Sequence, residues 1–361
     1  MRSLMSKQRK QRRWWLRVIG GVILAGVAVL TVVAIRYVSS YQNFLTKISR
    51  EGLDQGEYAE MEISDVEVLK EPFTVLISGS DSRQGVEATA RSDVNIVAVV
   101  NPAEAKILLV SIPRDTYVQL HGTTGLKDKL THAGVYGINM SKTTIEDFLG
   151  IKIDHTIKVS FDTVIQVVDQ LDGIEIDSDQ AMSLTAEGKD KICNYVVGKQ
   201  TVDGDCALRF SRERKSYKTG DRHRGENQQQ VLTSIIAKLT GSQDYLLRLP
   251  TILDIVADSF ETTFLKSDIE KFIALQLTEK PQWEVKSIGV DGVGDMQPTY
   301  SMGANRPLYV MIADESSVAE ATKQIKAYLE TEVEATSTQG EASAQAEASA
   351  QEATSAQEKT D

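Results

Sequence analysis

A chain of 361 residues, 41% of them hydrophobic and 25% charged, can hold one large domain or two ordinary ones, with a sizeable core. Its formal net charge of −11 argues against general nucleic-acid binding, which needs a basic surface, and makes any basic cluster stand out. The absence of G-x-x-x-x-G-K-[ST], H-E-x-x-H and G-x-S-x-G argues against a zinc hydrolase or a nucleophile-elbow serine hydrolase, and His121, His132, His155 and His223 show no zinc spacing to a cysteine.

The chain opens with a basic tail, residues 1–17, that carries Arg2, Lys7, Arg9, Lys10, Arg12, Arg13 and Arg17 and no acid. An uncharged run from Val18 to Ile35 follows, edged by Trp14, Trp15 and Tyr37. Such a run is long enough to cross a bilayer, and aromatic residues belong at its interfaces. A cleaved signal peptide has the same charge order. It would end in an A-x-A-like site, which Arg36-Tyr37-Val38-Ser39-Ser40 does not resemble, so residues 18–37 are read as an uncleaved single-pass transmembrane helix. The positive-inside rule puts the tail in the cytoplasm and the rest outside the cell membrane. Taking the tail's seven positive charges from −11 leaves −18 for everything beyond it. In that oxidising compartment Cys193 and Cys206 are read as a disulfide candidate and not as two buried thiols.

Residues 38–70 are polar with scattered apolar positions and read as a stalk. Three β-branched runs follow, Phe73–Gly79, Val94–Val100 and Lys106–Ile112, each predicted to be a buried strand, with a hairpin through Asn101–Ala105. Helical spacing appears in Thr143–Leu149 and in Val164, Val167, Val168 and Leu171, with a strand predicted between them at Thr156–Phe161. Helices are predicted at Gly204–Arg212, Arg224–Leu239, Leu247–Phe260 and Ser267–Leu277, then a strand at Leu308–Ile312 and a helix at Ser316–Leu329. The interleaving predicts an α/β or α+β domain over residues 71–330, with a central mixed sheet flanked by helices. Thr331–Asp361 repeats EASAQ and has too little apolar surface to offset ordering, which predicts disorder.

Acids and arginines gather at the predicted strand ends. Asp81 and Arg83 follow the first strand, Arg91, Ser92 and Asp93 precede the second, and Pro113, Arg114 and Asp115 follow the third. If the strands alternate in direction, one sheet edge collects all three groups. Asp81 and Asp93 could there share Mg²⁺ (or Mn²⁺), which favours carboxylate oxygens and keeps positions for phosphate. A denser cluster follows in Arg209, Arg212, Arg214, Lys215, Lys218, Arg222 and Arg224, against only Glu213 and Asp221. The planar guanidinium suits phosphate oxygens. Arg224, Gln228, Val231 and Ile235 share one helical stripe, so Arg224 and Gln228 should point into a cleft at a helix N-terminus.

The succession Asp81, Arg91-Ser92-Asp93, Ile112-Pro113-Arg114-Asp115, Asp128-Lys129-Leu130, Arg212-Glu213-Arg214 and Gly220-Asp221…Arg224…Gln228 resembles the LytR-CpsA-Psr family over about Phe73 to Leu239. The resemblance implies an extracytoplasmic phosphotransferase that moves a glycopolymer (teichoic acid, capsule or a related polysaccharide) from a polyprenyl-pyrophosphate carrier to peptidoglycan by a phosphodiester bond. It implies Asp81 and Asp93 as Mg²⁺ ligands, and Arg83, Arg91, Arg114, Lys129, Arg212, Arg214, Arg224 and Gln228 as pyrophosphate-binding residues. Asp81, Asp93, Arg91 and Arg114 are then the catalytic candidates, and the lipid is expected in an apolar groove. A lipid pyrophosphatase and a membrane-bound regulator without catalysis are the alternatives. Asn227 stands where many members have arginine, and Thr131 where asparagine is common.

Overall fold

The computed structural model describes residues 67–81, 90–217, 220–242 and 259–330, with isolated residues between 38 and 49 and between 244 and 256. The predicted tail, anchor and C-terminal repeat, and most of the stalk and of the helix expected over Leu247–Phe260, lie outside the described residues, and Phe260 opens a short strand. No helix among the described residues is long and apolar enough to cross a membrane.

The chain folds as a mixed α/β domain. Strands β1 (Phe73–Ser80) and β3 (Lys106–Ser111) both run antiparallel to β2 (Val94–Asn101) between them, and the β2–β3 hairpin lies where its spacing predicts. After β4 (Tyr117–Val118), β5 (Asp128–Lys129), α1 (Leu130–Ala133) and α2 (Ile138–Leu149), strand β6 (His155–Ser160) adds parallel to β1. Helix α3 (Phe161–Gln170) starts directly at its end, so Phe161 caps the strand as the first helical residue instead of closing it. A subdomain of four short strands follows, β7 (Ile174–Ser178), β8 (Met182–Thr185), β9 (Ile192–Tyr195) and β10 (Gly198–Val202), paired β7 with β10 and β8 with β9.

Helices α4 (Gly204–Arg212) and α5 (Asp221–Gly241) come next, then β11 (Phe260–Thr262), α6 (Lys266–Thr278) and β12 (Glu284–Gly289). The main sheet has the order β11-β6-β1-β2-β3-β12, with β12 parallel to β3. The predicted strand at Leu308–Ile312 belongs to a longer one, β14 (Gly303–Ala313), and pairs with β13 (Gly292–Thr299) in a hairpin outside that sheet. Helix α7 (Glu315–Leu329) closes the described chain.

Both sheet faces are covered, so β1–β3 read as continuous apolar runs and not as alternating ones. Leu76, Val97, Val99, Leu108 and Val110 pack with Ile145 of α2 and Ala321 and Ile325 of α7. Val75, Ile96, Ala98, Ile107 and Leu109 face the other way, toward Leu232 and Ile236 of α5 and Phe264 and Phe272. A third core, built on Leu171, Ile174, Ile176, Tyr195, Phe210 and Val231, joins the four-strand subdomain to α3, α4 and α5. It contains a Cys193–Cys206 disulfide that links β9 to α4.

Candidate active site

The alternation of β1–β3 brings three chain segments to one edge: the end of β1 with Asp81, the start of β2 with Asp93, and the loop after β3 with Arg114. Because β6 and β12 are parallel to β1 and β3, their C-terminal ends meet there too. Backbone bonds hold this edge. Asp93 N–H donates to the Gly79 carbonyl at 2.8 Å, and Ile112 N–H to the Asn95 carbonyl at 2.9 Å. Thr131 N–H donates to the Arg114 carbonyl at 2.8 Å, while the Thr131 carbonyl accepts from Ser92 N–H at 3.3 Å. One backbone residue thus ties the Arg114 loop to the approach to Asp93. Gly134 completes the fit, since a Cβ there would stand 2.5 Å from the Ala90 carbonyl and 2.8 Å from Ser92 N.

Two cavities open side by side at this edge, one of about 320 Å³ beneath the first turn of α5 and one of about 310 Å³ toward α4. Asp93, Arg114, Arg224 and Gln228 line both, and Arg212 and Arg214 line the second. Arg114 Nη1 donates to Asp93 Oδ1 at 2.6 Å, with its Nε 3.8 Å from Asp115. Arg212 Nη2 lies 3.1 Å from Asp81 Oδ2, its Nε 3.0 Å from Glu187, and its guanidinium 4.6 Å above the Phe161 ring. The Nη1 of Arg212 is buried and has no hydrogen-bond partner among the described residues. A buried donor left unsatisfied costs free energy that an anionic ligand would recover.

Helix α5 delivers the other groups. Arg224 is 8% exposed and Val231 4%, so the charged first turn continues the buried stripe. Gly225 lets the helix approach β3, where an added Cβ would stand 3.0 Å from Ser111 Oγ. Gln229 donates through Nε2 to the carbonyls of Leu109 (3.1 Å) and Ile288 (2.5 Å), fixing the helix between β3 and β12. The partial positive charge of the helix N-terminus adds to that of the arginines.

Other expected residues fall elsewhere. Lys129 lines neither cavity; its Nζ lies 2.8 Å from Asp115, behind Arg114. Arg91 is exposed and lines neither cavity, and Arg83 lies outside the described residues. Asp128, in the same motif as Lys129, is fully buried. Burial alone would raise its pKa, but hydrogen bonds from His132, the Lys129 N–H and Ser301 hold it below the usual carboxylate range. It fastens the turn between β13 and β14. Arg209 does line the second cavity, engaged by Glu213 and the Thr185 carbonyl. Glu213, which burial would push up, is held low by the Ser216 N–H and Arg209. Asn227 reaches the Phe210 carbonyl at 3.1 Å and so joins α5 to α4.

Sequence reasoning did not single out Glu187, Phe161 or Gln229. Glu187 sits in the turn between β8 and β9, and nothing in its local sequence relates it to Arg212. The sequence pattern places Phe161 as the last residue of the predicted strand Thr156–Phe161, whereas it opens α3 immediately after β6.

On the sheet face that α5 and α6 cover lies an apolar cavity of about 350 Å³, lined by Val75, Ile77, Ala98, Ile236, Leu239 and Phe272 among others. Its axis is set by α5, whose first turn lies in the polar site and whose last turns lie here. From Arg224 to Leu239 the helix rises about 22 Å.

Arginines thus gather with Asp93 at a helix N-terminus, an arrangement suited to an anionic group, while Asp81 lines neither polar cavity. The chain belongs to the LytR_cpsA_psr family, whose model matches residues 37–327. It is 30% identical over 332 residues to the Bacillus subtilis polyisoprenyl-teichoic acid–peptidoglycan teichoic acid transferase TagU, which covers 91% of this chain and all of that protein. The Enterococcus faecalis protein of the same name is 33% identical over 264 residues, covering 73% of this chain and 81% of its own. Among solved structures, B. subtilis TagV superposes with a TM-score of 0.59 at 26% identity, covering 72% of this chain and 98% of that one. TagT bound to LIIa-WTA superposes at 0.57 with 25% identity, covering 74% and 94%.

Proposed function

We propose that this chain is a phosphotransferase that moves a glycopolymer from a polyprenyl-pyrophosphate carrier to peptidoglycan; its relatives are named as polyisoprenyl-teichoic acid–peptidoglycan teichoic acid transferases. The observation that carries the reading is helix α5, which lines the arginine site with Arg224 and Gln228 and the apolar cavity with Ile236 and Leu239. A pyrophosphate on a polyprenyl tail matches that sequence of surroundings. The predicted anchor would keep the site outside the cell, at the membrane surface where such a lipid lies.

In the reaction, a sugar hydroxyl oxygen of the acceptor attacks the phosphorus that bears the glycan. The bond from that phosphorus to the bridging oxygen breaks, and polyprenyl monophosphate leaves. The hydroxyl proton passes to a carboxylate, and Asp93, which lines both polar cavities, is the candidate base. Arg114, Arg212, Arg214 and Arg224 neutralise the charge that gathers on the bridging oxygen.

Asp81 and Asp93 would hold Mg²⁺ or Mn²⁺ together with pyrophosphate oxygens. The donor set fits such an ion. Both carboxylates stand at one sheet edge, where Arg212 and Arg114 now pair with them, and substrate oxygens would complete the shell. When bound, the ion supplies further charge neutralisation at the phosphates.

The test is transfer by the purified full-length protein in detergent, from lipid-linked glycan to soluble peptidoglycan. Asp81→Ala and Asp93→Ala should each abolish transfer, and chelation should stop the wild type until Mg²⁺ or Mn²⁺ is restored. Full transfer by both variants would refute the assignment of the site.

A further inference from the structure

A third cavity, of about 720 Å³, adjoins the polar site and exceeds either of the two polar cavities there. It shares Pro113, Arg222, Val290 and Asp291 with the cavity beneath α5, and its far wall is the β13–β14 hairpin. We infer that this groove binds the acceptor, a stretch of uncharged peptidoglycan glycan, and presents its sugar hydroxyl to the site; the inference rests on the phosphotransferase reading above.

The groove has a bare floor and an aromatic platform. Gly292 and Gly294 of β13 lie on the strand face that also carries Tyr309 and Met311 of β14, with Gly294 opposite Met311 and Met296 opposite Tyr309. Tyr309 therefore reaches diagonally over Gly294. A Cβ at Gly294 would stand 2.7 Å from the tyrosine ring, so the ring lies on the backbone where a side chain would otherwise be. Tyr309 is nevertheless 52% exposed. An aromatic face presented over bare backbone suits the apolar face of a sugar ring, and its hydroxyl can take a polar partner.

The platform is rigid and leads to the chemistry. The hairpin is fixed at both ends: Tyr300 N–H donates to the Lys127 carbonyl and Met311 N–H to the Asp115 carbonyl, at 2.9 and 2.8 Å. Lys129 Nζ lies 5.9 Å from the Tyr309 ring centre and 2.8 Å from Asp115, and Asp115 neighbours Arg114, which holds Asp93. The chain of contacts runs from the platform to the candidate base.

Charge and stereochemistry choose the occupant. Asp115, Asp291 and Asp314 line the groove; Lys129 pairs with Asp115 and Arg222 with Asp291, which leaves Asp314 as the carboxylate with no cation among the described residues. This suits hydroxyl and amide donors and opposes a polyanionic polymer. In-line displacement also requires the attacking oxygen opposite the leaving one. The apolar cavity, toward which the lipid phosphate leaves, opens on the sheet face covered by α5 and α6. Met311 and Ala313 of the groove's hairpin pack against the opposite face.

Steady-state transfer by the full-length protein in detergent tests this, with the concentrations of lipid-linked donor and peptidoglycan oligosaccharide varied independently. Tyr309→Ala should raise KM for the oligosaccharide at least tenfold, leaving KM for the donor within twofold. Tyr309→Trp should restore it. Gly294→Ala, which keeps the tyrosine but displaces its ring, should reproduce the defect. Calorimetric binding of the oligosaccharide to the same proteins without donor supplies an arm independent of catalysis. Lost binding in Tyr309→Ala supports the groove even if no transfer occurs, whereas absent transfer by the wild type refutes the phosphotransferase reading. A change in donor KM alone would place the donor glycan in the groove and overturn the inference, as would unchanged KM and binding in both variants.

Discussion

Replacing Arg114 by alanine separates a charge that serves the reaction from one that serves the fold. The guanidinium touches Asp93 at 2.6 Å, at the junction of both polar cavities, with side-chain exposures of 28% and 20%. A pair this open to water contributes up to about 1 kcal/mol to stability. For a domain of this size that corresponds to roughly 2–4 °C in Tm. The same group aimed at charge developing on a phosphate oxygen is comparable to an oxyanion donor, whose loss costs about 3–4 kcal/mol, or on the order of 10²–10³ in rate. Arg114→Ala should therefore melt within a few degrees of the wild type yet transfer glycan about 10²–10³-fold more slowly. Arg114→Lys should recover part of the loss, because it restores charge without the planar fork. Thermal melts and initial rates on the same preparations check both halves. A variant that keeps its rate within threefold, or loses it only in step with unfolding, would refute the reasoning.

Three further outcomes follow from the same contacts. Replacing both Cys193 and Cys206 by alanine opens a loop of 13 residues' separation. This should cost about 3 kcal/mol, seen in calorimetry as a Tm lower by roughly 6–12 °C; a shift under 2 °C would contradict it. Gly134→Val, which drives a side chain into Ala90 and Ser92, should cost about 1–3 kcal/mol and depress transfer by moving Asp93, whereas an unchanged rate would show that the contact does not position the site. Burial lowers the His155 pKa from 6.5 to about 4 against the opposing charges of Asp154 and Asp268. The unfolded chain then takes up a proton that the folded chain refuses, so this stability is full above about pH 6.5 and falls by about 3 kcal/mol as pH drops toward 4. His155→Phe should flatten denaturant-measured stability over that window, and an unchanged slope would reject the assignment.

The parts of the fold written in local pattern were legible. β1–β3 announce themselves through β-branched runs, and the short Asn101–Lys106 connection makes β2 and β3 antiparallel, which brings Asp93 and Arg114 to one edge; the antiparallel pairing of β1 with β2 adds Asp81. The 3.6-residue phase of Arg224, Gln228 and Val231 likewise points the first turn of α5 inward. What stayed illegible depends on distant partners. β12 pairs with β3 at the sheet margin and is largely exposed, so its sequence EVKSIG carries little apolar signal. β7 does alternate buried Ile174, Ile176 and Ser178 with exposed Glu175 and Asp177, but it follows a helix so closely that the change of period is brief. Glu187 meets Arg212, and Lys129 meets Asp115, only because the chain folds back on itself.

The most direct test of the central claim is the fate of the two phosphates when lipid-linked glycan is given to the full-length enzyme with and without peptidoglycan. With peptidoglycan, mass analysis should find the glycan joined to it through one phosphodiester, with one polyprenyl monophosphate released per link. Without it, the donor should be consumed far more slowly. Phosphorylated glycan released into solution at the same rate in both cases would mean that water is the acceptor, and would contradict transfer.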